Sequence, residues 1–106
     1  MRSAHGRNAP VRIPSAVLVE LYRGHGSDEA IDAVLARGFA QVVTSGIRMA
    51  RIAGHLLAEA GAGSEMAIDA LVVATAIRFG GGIVATHDPD LRLFAARHPN
   101  VAILDI

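Results

Sequence analysis

The sequence predicts an α/β fold with a mainly parallel sheet. Three observations carry that prediction. Short β-branched runs alternate with longer segments of helical period along the whole chain. Gly, Ser, Asp and Pro punctuate the junctions between them. Apolar residues make up 52 % of 106 residues, which suits one small domain with a buried core.

The elements follow in order. Residues 1–10 (MRSAHGRNAP) are polar and unpatterned and are expected to be a loose segment, with the domain proper spanning 11–106. Val11, Arg12 and Ile13 read as a short strand ending at Pro14. Ser15 is placed as a cap for a helix over 16–23, stopped by Gly24 and Gly26. Ser27 and Asp28 start a second helix through Ala36, with Glu29 in its first turn and Gly38 beyond its end. Residues 39–43 (FAQVV) read as a strand. Thr44 or Ser45 is expected to cap a longer helix to about Ala60, with Ile47, Ala50, Ala53, Leu57 and Ala60 as its apolar stripe. Ser64, with Glu65 nearby, starts a fourth helix to about Phe79, closed by Gly80, Gly81 and Gly82. A strand over 83–86 stops at His87, Asp88 and Pro89. A short helix over 90–97 and a strand over 101–104 complete the pattern.

Composition narrows the function classes. The formal net charge is zero, so any contact with nucleic acid must come from a local patch. All ten basic residues are Arg, a bias that either reflects genome composition or suits bidentate phosphate contact. Absence of Cys excludes disulfides and thiolate zinc sites and fits a reducing interior. The first ten residues hold no apolar leader-like run. The longest apolar run, 68–77, is too short for a membrane span and contains Asp69. A soluble, cytoplasmic protein without a membrane partner is therefore the expectation.

Three carboxylates stand out: Glu20, Asp69 and Asp88. Each lies in or beside an apolar segment, where an unpaired charge is costly. Asp69 shares a helical face with Val72, Val73 and Ala76. Asp88 lies beyond the carboxyl end of a strand, where parallel sheets place their ligands. Together they suggest an acidic pocket for a hard divalent cation, the usual apparatus for phosphodiester cleavage. Each also has a plain structural explanation. Asp69 can stabilise a helix N-terminus, Asp88-Pro89 can start a turn, and Glu20 can stay solvated or pair with Arg23.

Other features read as structural. The five His show no zinc spacing, and His87 is the only one beside a candidate site residue. Gly80 to Gly82 lack the Gly-Lys-Ser/Thr of a phosphate loop. Arg23, Arg48 and Arg51 could reach phosphate or could simply solvate helix faces.

Residues 11–24 (VRIPSAVLVELYRG) resemble the second strand and helix of PIN domains, the nuclease toxins of the VapC type found in bacterial toxin–antitoxin pairs. Residues 50–57 (ARIAGHLL) resemble the family's middle helix, 68–74 (IDALVVA) its later acid-bearing helix, and 83–91 (IVATHDPDL) its strand and Thr-x-Asp turn. The final strand fits as well. The resemblance implies a three-layer α/β/α PIN-like fold and a ribonuclease using Mg²⁺ or Mn²⁺. It implies Glu20, Asp69 and Asp88 as catalytic metal ligands, Asp90 as a further acid, and Thr86 as an auxiliary hydroxyl. Arg23 and Arg51 would contact RNA. A cognate antitoxin and a second copy of the chain would be partners.

One departure qualifies these expectations. The family's first strand and helix, with the Asp that strand carries, have no counterpart in residues 1–10. A truncated chain is expected to have impaired metal binding and a split or exposed sheet with open edges. The rival expectation is an inactive PIN remnant that binds antitoxin or RNA without cleaving.

Overall fold

The computed structural model describes residues 11–22, 28–38, 40–86 and 88–106. The expected loose segment 1–10, the glycine stops at Gly24 and Gly26, the Ser27 cap, Phe39 and the residues Arg23 and His87 lie outside the described residues. The fold is α/β, and its strand pairing is parallel throughout the described residues. The chain divides into two compact units between Thr44 and Ser45.

In the first unit, β1 (Val11–Pro14) leads directly into α1 (Ser15–Leu21), and α2 (Asp28–Ala36) leads to β2 (Ala40–Val43). Strands β1 and β2 pair in parallel, with Val11 opposite Ala40 and Pro14 opposite Val43. The helices between them form the crossover that a parallel pair requires. Pro14 rather than Ser15 is the cap residue of α1, and no side chain caps that end. Proline's fixed φ, here −61°, turns the extended strand into the helix without a hydroxyl cap. The Tyr22 hydroxyl donates a hydrogen bond to the Asp32 carboxylate and ties the end of α1 to α2. That bond to a carboxylate raises the Tyr22 pKa above the ordinary phenol value. Pro14 is the one buried residue of this unit among the described residues.

The second unit holds the core. It contains α3 (Ile47–Ala60), α4 (Ala67–Arg78), β3 (Gly82–Thr86), α5 (Arg92–Ala95) and β4 (Val101–Asp105). Single turns of 3₁₀ helix precede α4 at Ser64–Met66 and α5 at Pro89–Leu91. Strands β3 and β4 pair in parallel from Gly82 opposite Val101 to Thr86 opposite Asp105. Among the described residues each unit thus holds one parallel pair, β1–β2 in the first and β3–β4 in the second.

Ala53 and Leu56 of α3, Ala70, Val73 and Ala74 of α4, Val84 of β3, Leu91, Phe94 of α5 and Val101 of β4 make one buried cluster. Every residue of α4 except Arg78 is at least partly buried, as a helix apolar on nearly all sides demands. Thr75, the buried polar residue of α4, donates its hydroxyl to the Leu71 carbonyl at 2.8 Å. That back-bond removes the cost of an unpaired hydroxyl.

Two expectations for α3 are corrected. Its cap residue is Gly46 and not Thr44 or Ser45, because the first helical bond runs from Ala50 N–H to the Gly46 carbonyl. Its buried row is Met49, Ala53 and Leu56, while Ile47 is 80 % exposed. Of the expected stripe, Ala53 is buried and Leu57 and Ala60 pack partly buried against the core, while Ile47 and Ala50 are exposed and the larger apolar side chains of Met49 and Leu56 are buried in addition.

Two glycines are required by geometry. Gly61 ends α3 in the left-handed region at φ 64°. Gly81, at φ 114°, brings its backbone against Asn100, and a Cβ there would lie 2.6 Å from the Asn100 carbonyl oxygen. The close approach aligns the start of β3 with β4, where Gly82 N–H bonds the same carbonyl at 2.9 Å.

Replacing Leu56 by Ala should destabilise the chain by about 2–5 kcal/mol, and replacing Ile47 by Ala by no more than about 0.5 kcal/mol. Urea unfolding of the two variants checks the observed burial, since the reverse order would restore the stripe expected from sequence.

Candidate functional site at the carboxyl end of the β3–β4 pair

The site is built from the turn that leaves β3. Thr86 is the last residue of the strand and is partly buried. Its hydroxyl oxygen accepts a hydrogen bond from the Asp88 N–H at 3.0 Å. The Asp88 carboxylate then accepts from the Asp90 N–H at 2.9 Å. Asp88 is the cap residue of the following 3₁₀ turn, and Pro89 stands at its first position, where no N–H is needed. Thr86, Asp88 and Asp90 are therefore brought together, and the chemistry that joins them is capping.

The turn is anchored from two sides. Leu91, one residue beyond Asp90, is buried in the core, and α4 packs on the turn. On the other side the Ile106 N–H donates to the Thr86 carbonyl at 2.9 Å, extending the ladder past the strand ends.

Asp105 lies directly opposite Thr86 in the parallel register. It forms an ion pair at 2.6 Å with Arg92 of α5. The Arg92 hydrogen bond holds the Asp105 carboxyl below its ordinary value and raises that of the guanidinium. Neither residue was singled out in the sequence. The available signal was the parallel register itself, which sets an acid at the end of the last strand beside the end of β3.

Asp69 sits in the first turn of α4, partly buried at the margin of the row Ala70, Val73 and Ala74. That position favours a carboxylate through the helix macrodipole. Glu20 is exposed on α1 and belongs to the first unit. Arg51 is exposed on α3. Arg23 lies outside the described residues.

The Mg²⁺ or Mn²⁺ site implied by the resemblance needs several carboxylates converging on one point. Among the described residues, no group of three or more His, Asp or Glu side chains could hold a metal ion. The Asp88 oxygen that bonds the Asp90 N–H is committed to the turn. Within the second unit the described Asp69, Asp88 and Asp90 do not make the ligand set that a hard cation requires.

Two outcomes follow from this geometry. Asp88→Ala should lower stability by about 0.5–2 kcal/mol through loss of the cap, and Asp88→Asn, which keeps an acceptor oxygen, should lower it less. Asp105 has its folded pKa depressed by Arg92, so its contribution is complete above the unfolded carboxyl value of about 3.9. It is lost as pH falls through the folded value. The stability difference between the native chain and Asp105→Asn should hold steady at neutral pH and shrink below about pH 4. It should also shrink with added salt, because the pair is exposed. Urea midpoints measured against pH and ionic strength check this.

No helix among the described residues is long and apolar enough to cross a membrane. No curated protein matches the chain. The PIN domain family model matches residues 2–97, nearly the full length of the chain. The chain belongs to the PIN-domain family, a nuclease superfamily.

Proposed function

We propose that this chain is a PIN-family protein that binds RNA without cleaving it. One observation carries the reading: the described carboxylates do not assemble a metal centre, and Asp88, the acid at the carboxyl end of β3, serves its own turn. Binding needs less than catalysis. A charged, partly apolar surface suffices to hold a phosphate backbone, whereas hydrolysis needs a preorganised cation and its activated water.

A cognate antitoxin and a second copy of the chain are further partners in this reading. The absence of Cys accords with action in the cytoplasm.

The competing reading is a working metal-dependent ribonuclease toxin. The partly buried Asp69, together with Asp88 and Asp90 beside a strand end, favours it. Incubation of labelled single-stranded RNA with the full chain separates the two. Native chain, Asp69→Asn and an EDTA control are compared in Mg²⁺ and in Mn²⁺, with binding followed by fluorescence anisotropy and integrity by gel. The expected result is saturable binding with intact RNA in every lane. Cleavage that EDTA and Asp69→Asn both abolish would overturn the reading and make the chain an active nuclease.

A further inference from the structure

The exposed face of α3 carries a feature that the turn at β3 does not explain. Arg48, Arg51 and His55 are all exposed and follow one another at offsets of three and four. At 100° per residue they lie within about 60° of one another around the axis, opposite the buried row Met49, Ala53 and Leu56. They cover about 10 Å along the helix.

The row is electropositive beyond its side chains. The first turn of α3 has no acidic residue and no side-chain cap, and the amino end of a helix carries about half a positive charge. Arg48 therefore stands where a cation is intrinsically disfavoured and where an anion is favoured. Glu59, the acid of this helix, lies on the same face one turn beyond His55 and is engaged by His98, with 3.4 Å between Oε1 and Nε2.

Two other arginines of the unit are engaged, while Arg97 stands exposed away from this helix. Arg92 is paired with Asp105, and Arg78 lies over the Phe79 ring at 5.9 Å. Arg48 and Arg51 have no ion-pair partner among the described residues. Ile47, exposed at 80 %, lies one turn from Arg51 and adds an apolar contact beside the charges.

We infer that the α3 face formed by Ile47, Arg48, Arg51 and His55 is a docking surface for the backbone of single-stranded RNA. Charge complementarity selects the occupant. The chain as a whole is neutral, so a local cationic row is what a polyanion would meet. Arginine forks match phosphate oxygens in two-point geometry, and the aliphatic Ile47 offers the contact that a splayed base or ribose accepts. The inference rests on the RNA-binding reading and names its surface.

Anisotropy titrations of a fluorescein-labelled oligouridylate with the full chain, repeated over a range of salt, provide the test. The double variant Arg48→Gln/Arg51→Gln is compared with Arg37→Gln/Arg97→Gln, which removes the same charge from exposed positions elsewhere. Each phosphate contact on a single strand contributes about 0.7 to the slope of log K against log salt. The α3 variant should bind more weakly and lose about 1.4 from that slope. The charge-matched control should keep the native slope. Native affinity and slope in the α3 variant would overturn the inference while leaving RNA binding intact. A native chain that binds no RNA would overturn both. Capture of polyglutamate in preference to the oligouridylate would assign the face to an acidic protein partner instead.

Discussion

Burial of α4 is the constraint on which the second unit depends. Its sequence offers almost no polar face, so it must be covered along its length. α3, α5 and the β3–β4 pair meet it, and Val73, Ala70 and Ala74 are completely buried in that packing. The alanines matter as much as the larger residues, because small side chains let neighbouring backbones approach closely. Asp69 is carried to the edge of this core by its place in the first turn, where the helix end favours its charge. Its partial burial is a consequence of where α4 begins.

The same core positions the turn after β3. Leu91 and Phe94 are held among the α4 side chains, and they fix the short segment between β3 and β4 from below. What remains above is a chain of capping bonds from Thr86 to Asp88 to Asp90. Carboxylates at such a position serve two chemistries equally well. They cap free N–H groups, and they bind cations when several converge. The bonds observed here belong to the first chemistry, which is why family membership and catalytic competence are separate statements for this chain.

The parallel pairings show how little local geometry is needed to build an α/β fold and how much is needed to join it. Each pair has its crossover helices and its register. The α3 face is different in kind. Its buried and exposed sides are defined within one helix, by the rotation that sends Met49 and Leu56 inward and leaves Ile47 with the arginines.

Much of this was legible in the residues. The alternation of strand and helix, the parallel class, the helix ends at Gly38 and Gly80, and the placement of Asp88 at a strand end all follow from period and punctuation, which are local properties of the chain. The PIN-like order of segments was legible for the same reason. Tertiary structure alone decided the rest. Packing with the α4 residues buried Leu56 while Ile47 and Ala50 stayed exposed, since burial depends on which neighbours arrive and not on spacing. Register set Asp105 beside Thr86 and let Arg92 reach it, a meeting of residues from separate elements. Hydrogen bonding then committed Asp88 to Asp90. A carboxylate's role is set by which donors stand within its reach, and those donors are known only once the chain has folded.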